Sequence, residues 1–271
     1  MPAGKSFVAV TSTMHYLLQL PRWAAASGWG LVSGSALVLG ALIGYYRQVS
    51  ARNIGLIMAF GSGVLISALA FELMEEAYGK GGFPATAIGF ISGAVLYTGA
   101  NYLLSHRGAR HRKRSGGLQP SETDHPGSGS AIAIGALIDG IPESVAIGLT
   151  MMNGGAVSMA AVIAIFLSNI PEALSSSSGM KKAGRSARYI FTIWGVITLL
   201  SGVAAFCGYV FFSQFPPSVT AGMVAMAAGG ILAMLSNTMI PEAYEEAHDF
   251  IGIVTVLGFL AAFFLSKLDA G

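Results

Sequence analysis

The sequence predicts an all-α membrane protein of eight transmembrane helices, on three observations. Hydrophobic residues fill 54% of the 271 positions and charged residues only 10%, against roughly a quarter charged in soluble domains. Eight apolar stretches are long enough to cross a bilayer, which takes about twenty residues each. The 36 glycines favour the close helix contacts of membrane bundles.

The stretches fall near 29–46, 54–78, 83–104, 130–152, 155–179, 188–212, 218–245 and 249–267. Ahead of them, Phe7 to Leu20 carries His15 and several hydroxyls and is too short to span. Residues 1–28 therefore read as an interfacial arm ending near Arg22-Trp23, with an extra spanning helix as the alternative. Residues 29–104 form a first three-helix unit, 130–179 a central proline-broken pair and 188–267 a second three-helix unit. The connection 105–129 is basic and rich in glycine and serine, and reads as disordered. Its histidines (His106, His111, His125) fit a solvated orientation signal better than a metal-collecting loop. Cys207, the single cysteine, excludes an intrachain disulfide and a multi-cysteine zinc site.

Lysine and arginine set the orientation. With the first connection cytoplasmic and sides alternating, one side holds Arg47, Arg52, Arg107, Arg110, Arg112, Lys113, Arg114, Lys181, Lys182, Arg185 and Arg188. The other holds only Lys5, Arg22, Lys80 and Lys267. The positive-inside rule then puts 105–129 in the cytoplasm and both termini outside it, in a multi-pass protein of the plasma (inner) membrane.

The chemistry concentrates in the fourth and fifth stretches. Ala136–Val145 reads ALIDGIPESV and Phe166–Leu174 reads FLSNIPEAL. Asp139 and Glu143 stand four apart and share a helix face, as do Ser168 and Glu172, with Asn169 three before Glu172. Pro142 and Pro171 each free the carbonyl four residues earlier, at Ile138 and Leu167. Two facing helices, each with an acid and a freed carbonyl, make an oxygen-rich cation site. From the helical rise, Asp139 and Glu143 lie roughly 12 and 18 Å into the bilayer and Ser168 and Glu172 about 18 and 24 Å, near the middle.

Plainer readings exist for each feature. Proline alone reads as a kink that membrane helices tolerate. Ser168 and Asn169 can act as helix-to-helix glue, and the Ser175–Ser178 run as close packing. Buried carboxylates resist such a reading: one charge at the bilayer centre costs at least about 3 kcal/mol. Three together repel unless a cation or protons neutralise them. Glu72 and Glu76 on one side, with Asn237 and Glu242 on the other, extend the acids into a path; as helix-end residues they can equally be solvated.

Leu65–Tyr78 resembles Ile231–Tyr244 at an offset of 166, and Trp29-Gly30 with Gly44-Tyr45 resembles Trp194-Gly195 with Gly208-Tyr209. An offset of five helices inverts the second copy across the membrane. Inverted repeats around interrupted central helices mark transporters with a midplane site.

Together these residues resemble the ZIP (Zrt/Irt-like) family. The resemblance rests on the eight-stretch plan, the long basic third connection, the paired Pro-Glu helices and Ile240-Pro-Glu-Ala243, over roughly residues 29 to 267. It implies a 3+2+3 inverted-repeat bundle that moves divalent transition metals into the cytoplasm. The family's fourth helix reads His-Asn-x-Pro-Glu-Gly; the matching positions here are Asp139, Gly140, Ile141, Pro142, Glu143 and Ser144. By resemblance the metal ligands are Glu143 and Glu172, with Ser168 and Asn169 as the polar pair of the fifth helix and Asn237 at a histidine position of the seventh. Aspartate at 139 replaces histidine, and no acid lies between Tyr189 and Phe212, so one full metal site is expected, with at most a weak second. An all-oxygen set shifts the cargo from zinc toward manganese or iron(II), although carboxylates also ligate zinc.

The expected site is thus Asp139, Glu143, Ser168, Asn169 and Glu172, with a divalent ion (Zn, Fe or Mn) as substrate and no organic cofactor. The expected partners are that ion and the lipid bilayer, with no nucleic acid; the glycine-rich faces permit a homodimer. An enzyme is not expected: there is no His-Glu-x-x-His, no Gly-x-Ser-x-Gly and no histidine in the central helices. The rival readings are an intramembrane metal-dependent hydrolase and a proton-relay carrier or scaffold that moves no metal.

Overall fold

The computed structural model describes residues 20–109, 111–113, 115, 119–121, 128–153 and 157–269. These are almost entirely helical, with no strand among them. Helix α1 spans Arg22–Tyr46, α2 Ala51–Ala68, α3 Glu75–Leu104, α4 Ser128–Thr150, α5 Met159–Lys182, α6 Ala187–Phe212, α7 Pro217–Met234, α8 Ile240–Ala247 and α9 Ile251–Asp269. Side chains cap several starts: Ser50 accepts from the Asn53 amide, Ser158 from Ala161 and Ser186 from Tyr189. Each satisfies one of the orphan donors of a first helical turn. Pro217 opens α7, where its missing N–H costs nothing.

Two π-helical turns, Leu69–Met74 and Leu235–Met239, carry the chain without a stop from α2 into α3 and from α7 into α8. The first run, Ala51–Arg107, would measure about 85 Å if straight, nearly three bilayer cores. It folds back at Gly82, where φ is 64°, a conformation that suits glycine. The second run, Pro217–Leu268, breaks at His248, with φ 49°. Counting each run once, six helical stretches are long and apolar enough to cross a membrane. This is the organisation of a multi-pass membrane protein.

The exposed surface agrees. Ile88, Ile91, Val95 and Leu96 on α3, and Ile253, Val256, Leu257 and Leu260 on α9, are all more than half exposed. Apolar belts of that size are rare on soluble monomers. Polar groups go inward instead, among them Asp139, Glu143, Ser168, Asn169 and Glu172.

The main pairings are α3 with α7, α2 with α9, and α1 with both α5 and α6; α6 also packs on α4. Glycines set these approaches. Gly63 leaves no room for a Cβ against the Thr255 carbonyl, nor Gly258 against that of Phe60. The same holds for Gly229 against Phe90, Gly93 against Met226, Gly44 against Leu174 and Gly208 against Val145. By contrast, α4 and α5 scarcely meet backbone to backbone.

Three expectations change. Arg22 to Gly28 belong to α1 and not to an interfacial arm, because the helix starts directly after Pro21; the rest of the expected arm, residues 1–19, lies outside the described residues. The central pair is continuous: the helical turns of α4 and α5 carry on past Pro142 and Pro171, each of which lacks a single N–H. The connection 105–129 is not wholly solvated, since Arg112, Lys113, Ser115 and Gln119 are buried. The reason lies in what they meet.

Candidate functional site

Helix α4 presents Asp139 and Glu143 on one face, and α5 presents Glu172 towards them; all three are at most 2% exposed. Asp139 is the most heavily partnered. Arg112 donates from Nε to Oδ2 at 2.9 Å and from Nη2 to Oδ1 at 2.8 Å, and the Tyr97 hydroxyl donates to Oδ1 at 2.5 Å. This paired donation is the strong geometry of guanidinium on carboxylate. The remaining donors of Arg112 reach Tyr97 Oη at 3.0 Å and Asn101 Oδ1 at 2.9 Å. Gly135, one turn before Asp139, provides the slot; a Cβ there would meet the Arg112 side chain.

Lys113 completes the cluster. Its Nζ lies 3.3 Å from Asp139 Oδ2 and 3.2 Å from Glu172 Oε2, so one ammonium bridges the two central helices. Glu143 is within coulombic range of Glu172, Lys113 and Asp139, yet neither of its buried oxygens has a hydrogen-bond partner, and Glu172 Oε1 has none either. Burial works against the charges on Arg112 and Lys113. The Asp139 carboxylate, joined by Glu172 at Lys113, outweighs it and holds both pKa values above their ordinary range. Both stay cationic at neutral pH.

The segment bearing these cations is docked on the end of α5. Ser175 Oγ donates to the Lys113 carbonyl, and Gln119 Nε2 donates to Arg112 O at 2.8 Å and Ser176 O at 3.1 Å. Lys182 Nζ donates to Ser115 O at 2.6 Å, while Ser115 Oγ donates to Glu246 at 3.2 Å. The serine run of α5 is therefore a landing strip for the connection.

No protein-family model and no curated protein matches the chain. The likeness to the ZIP family thus stands on the quoted residues alone.

The structure brings Asp139, Glu143 and Glu172 into one buried cluster, and it buries Ser168 and Asn169 with their donors on backbone carbonyls. Ser168 Oγ donates to Ile165 O of its own helix at 2.9 Å, and Asn169 Nδ2 donates to Ser33 O on α1 at 3.0 Å. Among the described residues, no three His, Cys, Asp or Glu side chains converge closely enough to hold a metal ion. In this conformation an ammonium sits between the acids.

The path residues lie apart. Glu72 accepts from Ser158 at 2.7 Å, at the start of α5 and roughly 20 Å along that helix from Glu172. Glu76 pairs with Lys80 at 2.5 Å. Asn237 and Glu242, with Asn101, Ser105, His111 and Arg112, line a polar cavity of about 290 Å³ beside the cluster. The sequence reading missed Arg112, Lys113, Tyr97 and Asn101. Tyr97 and Asn101 did carry a signal, since they stand four apart on one face of an otherwise apolar helix.

Proposed function

We propose that the chain is a membrane transporter for divalent transition-metal cations (zinc, iron or manganese), taken up through a midplane carboxylate site. One observation carries this reading. Three carboxylates are buried together on two helices, and the group seated between two of them is a cation. Glu143, its oxygens unpartnered, and Glu172 are the principal ligands, with Asp139 beside them.

The proposed architecture is eight crossings in a 3+2+3 inverted repeat, with Gly82 and His248 as the turns that divide the two long runs. Exchanging α1 with α6, α2 with α7, α3 with α9 and α4 with α5 maps the pairing of α3 with α7 onto that of α9 with α2. The contact of Gly63 with Thr255 then becomes that of Gly229 with Phe90, and Gly93 with Met226 becomes Gly258 with Phe60, at offsets of 165 and 166. The π turns at Leu69 and Leu235 also differ by 166. These correspondences support two copies of one plan in opposite directions, the arrangement around which transporters rock.

Glu72 and Glu76 would guide the ion in from outside, and the cavity at Asn237 and Glu242 would lead it to the cytoplasm. The orientation follows the basic side of the chain, with both termini outside. The decisive experiment is uptake of Mn²⁺, Fe²⁺ and Zn²⁺ into liposomes holding the purified chain, against Glu172→Gln. Uptake equal in the two, or absent from the wild type for every metal, sinks the proposal.

A second reading has its own observation. The paired bonds from Arg112 satisfy both oxygens of Asp139, as a structural ion pair in a proton-relay carrier or a non-transporting scaffold would. Calorimetry separates the two: a metal carrier binds Mn²⁺ and loses it in Glu143→Ala, whereas a scaffold binds none.

A further inference from the structure

We infer that Arg112 and Lys113 form a tethered plug, a two-residue stand-in for the divalent cargo that holds the carboxylate site shut and is expelled when metal binds. The inference rests on the metal-transport reading and adds the device that controls the site.

Charge is the first argument. One guanidinium and one ammonium carry the same total charge as one divalent ion. Exchanging one for the other leaves the charge among Asp139, Glu143 and Glu172 unchanged. Both together would put a metal ion within a few ångströms of two like charges in a low-dielectric interior, where each repulsion costs several kcal/mol. Plug and metal therefore exclude one another.

Geometry is the second. The Lys113 ammonium takes the position between Asp139 and Glu172, 3.3 and 3.2 Å away, that an ion bridging α4 and α5 would need. Arg112 occupies a fitted slot floored by Gly135 and closed by Tyr97 and Asn101. The chain here belongs to none of the helices, so it can leave without unpacking the bundle.

The tether is the third. Side-chain bonds hold the segment to the bundle: Ser175 to the Lys113 carbonyl, Lys182 to the Ser115 carbonyl, Gln119 to the Ser176 carbonyl and Ser115 to Glu246. Among the described residues of the segment, 111–113, 115 and 119–121, no backbone-to-backbone bond to α5 has to be broken to release it. The cavity at Asn237 and Glu242 also touches His111 and Arg112, so the withdrawn plug leaves along the route the metal would take.

The test uses the full chain in lipid nanodiscs, with Mn²⁺ and Zn²⁺ as probes. Titration calorimetry compares wild type, Lys113→Met, the charge-keeping Lys113→Arg, and Glu172→Gln. In parallel, Ser115→Cys in a Cys207→Ser background is labelled with a hydrophilic maleimide, with and without metal. Lys113→Met is expected to bind metal at least tenfold tighter than wild type and Lys113→Arg to bind like wild type. Metal should speed labelling of Ser115→Cys severalfold, and adding Glu172→Gln should abolish that acceleration. Should Lys113→Met bind no tighter while Glu172→Gln still destroys binding, the plug is overturned and the transport reading survives. Absence of binding in every variant overturns both. If Lys113→Met does not fold, labelling decides: a bound metal that leaves the Ser115→Cys rate unchanged refutes the plug.

Discussion

The Lys113 ammonium lies 3.2 Å from Glu172 Oε2, joining a residue between two helices to the core of a third. The same nitrogen is 3.3 Å from Asp139. A segment composed like a solvated loop therefore supplies the counter-charge for two fully buried acids.

Removing one partner should be costly. Asp139→Asn leaves Arg112 and Lys113 buried with half their compensation, a loss of about 3–5 kcal/mol. Thermal unfolding in detergent should show a clear drop. The double variant Asp139→Asn with Arg112→Met should lose less than the two single losses combined.

Glu143 should behave in the opposite way. Both its oxygens are buried without a hydrogen bond, so Glu143→Gln breaks no hydrogen bond and should leave stability unchanged or raise it. Metal uptake into liposomes should nevertheless fall at least about tenfold, because a neutral amide oxygen holds a divalent cation more weakly than a carboxylate does. A variant that loses stability and uptake together would mark Glu143 as structural.

The glycines divide into two sets. Gly63→Ala and Gly229→Ala force a methyl against a neighbouring carbonyl and should each cost about 1–3 kcal/mol. Gly99 and Gly195 face open space, so Gly99→Ala and Gly195→Ala should be neutral or stabilising by up to about 1 kcal/mol. Unfolding midpoints of the four variants check this directly.

The docked segment should resist trypsin. Arg112 and Lys113 are at most 2% exposed, so cleavage after them should be slow in the native chain. Gln119→Leu removes the donor to Arg112 O and Ser176 O and should speed that cleavage severalfold, as peptide mass mapping would show.

Much of the fold was legible because its signals are local. Hydropathy located the helices to within several residues, and Gly82 sits in the gap read between the second and third stretches. The burial of Asp139, Glu143 and Glu172 was legible because an acid inside an apolar helix has few other places to go. Arg112 and Lys113 were not, since a run of basic residues looks the same in sequence whether water or distant carboxylates surround it. The backbone bonds of Ser168 and Asn169 were hidden for a related reason. Small polar side chains can satisfy themselves on nearby backbone, here Ile165 O and Ser33 O, and spacing does not reveal that choice.

The reciprocal glycine contacts have a mechanical consequence. Helices α2 and α9 interlock at two levels, Gly63 under Thr255 and Gly258 under Phe60, and α3 and α7 do so at Gly93 and Gly229. A pair pinned twice, each time by a carbonyl in a dimple with no spare volume, cannot slip lengthwise by a fraction of a turn. Each such pair is a stiff beam. Shear within the bundle is then left to the seam where α4 and α5 scarcely touch, and there the joint is made of charged side chains.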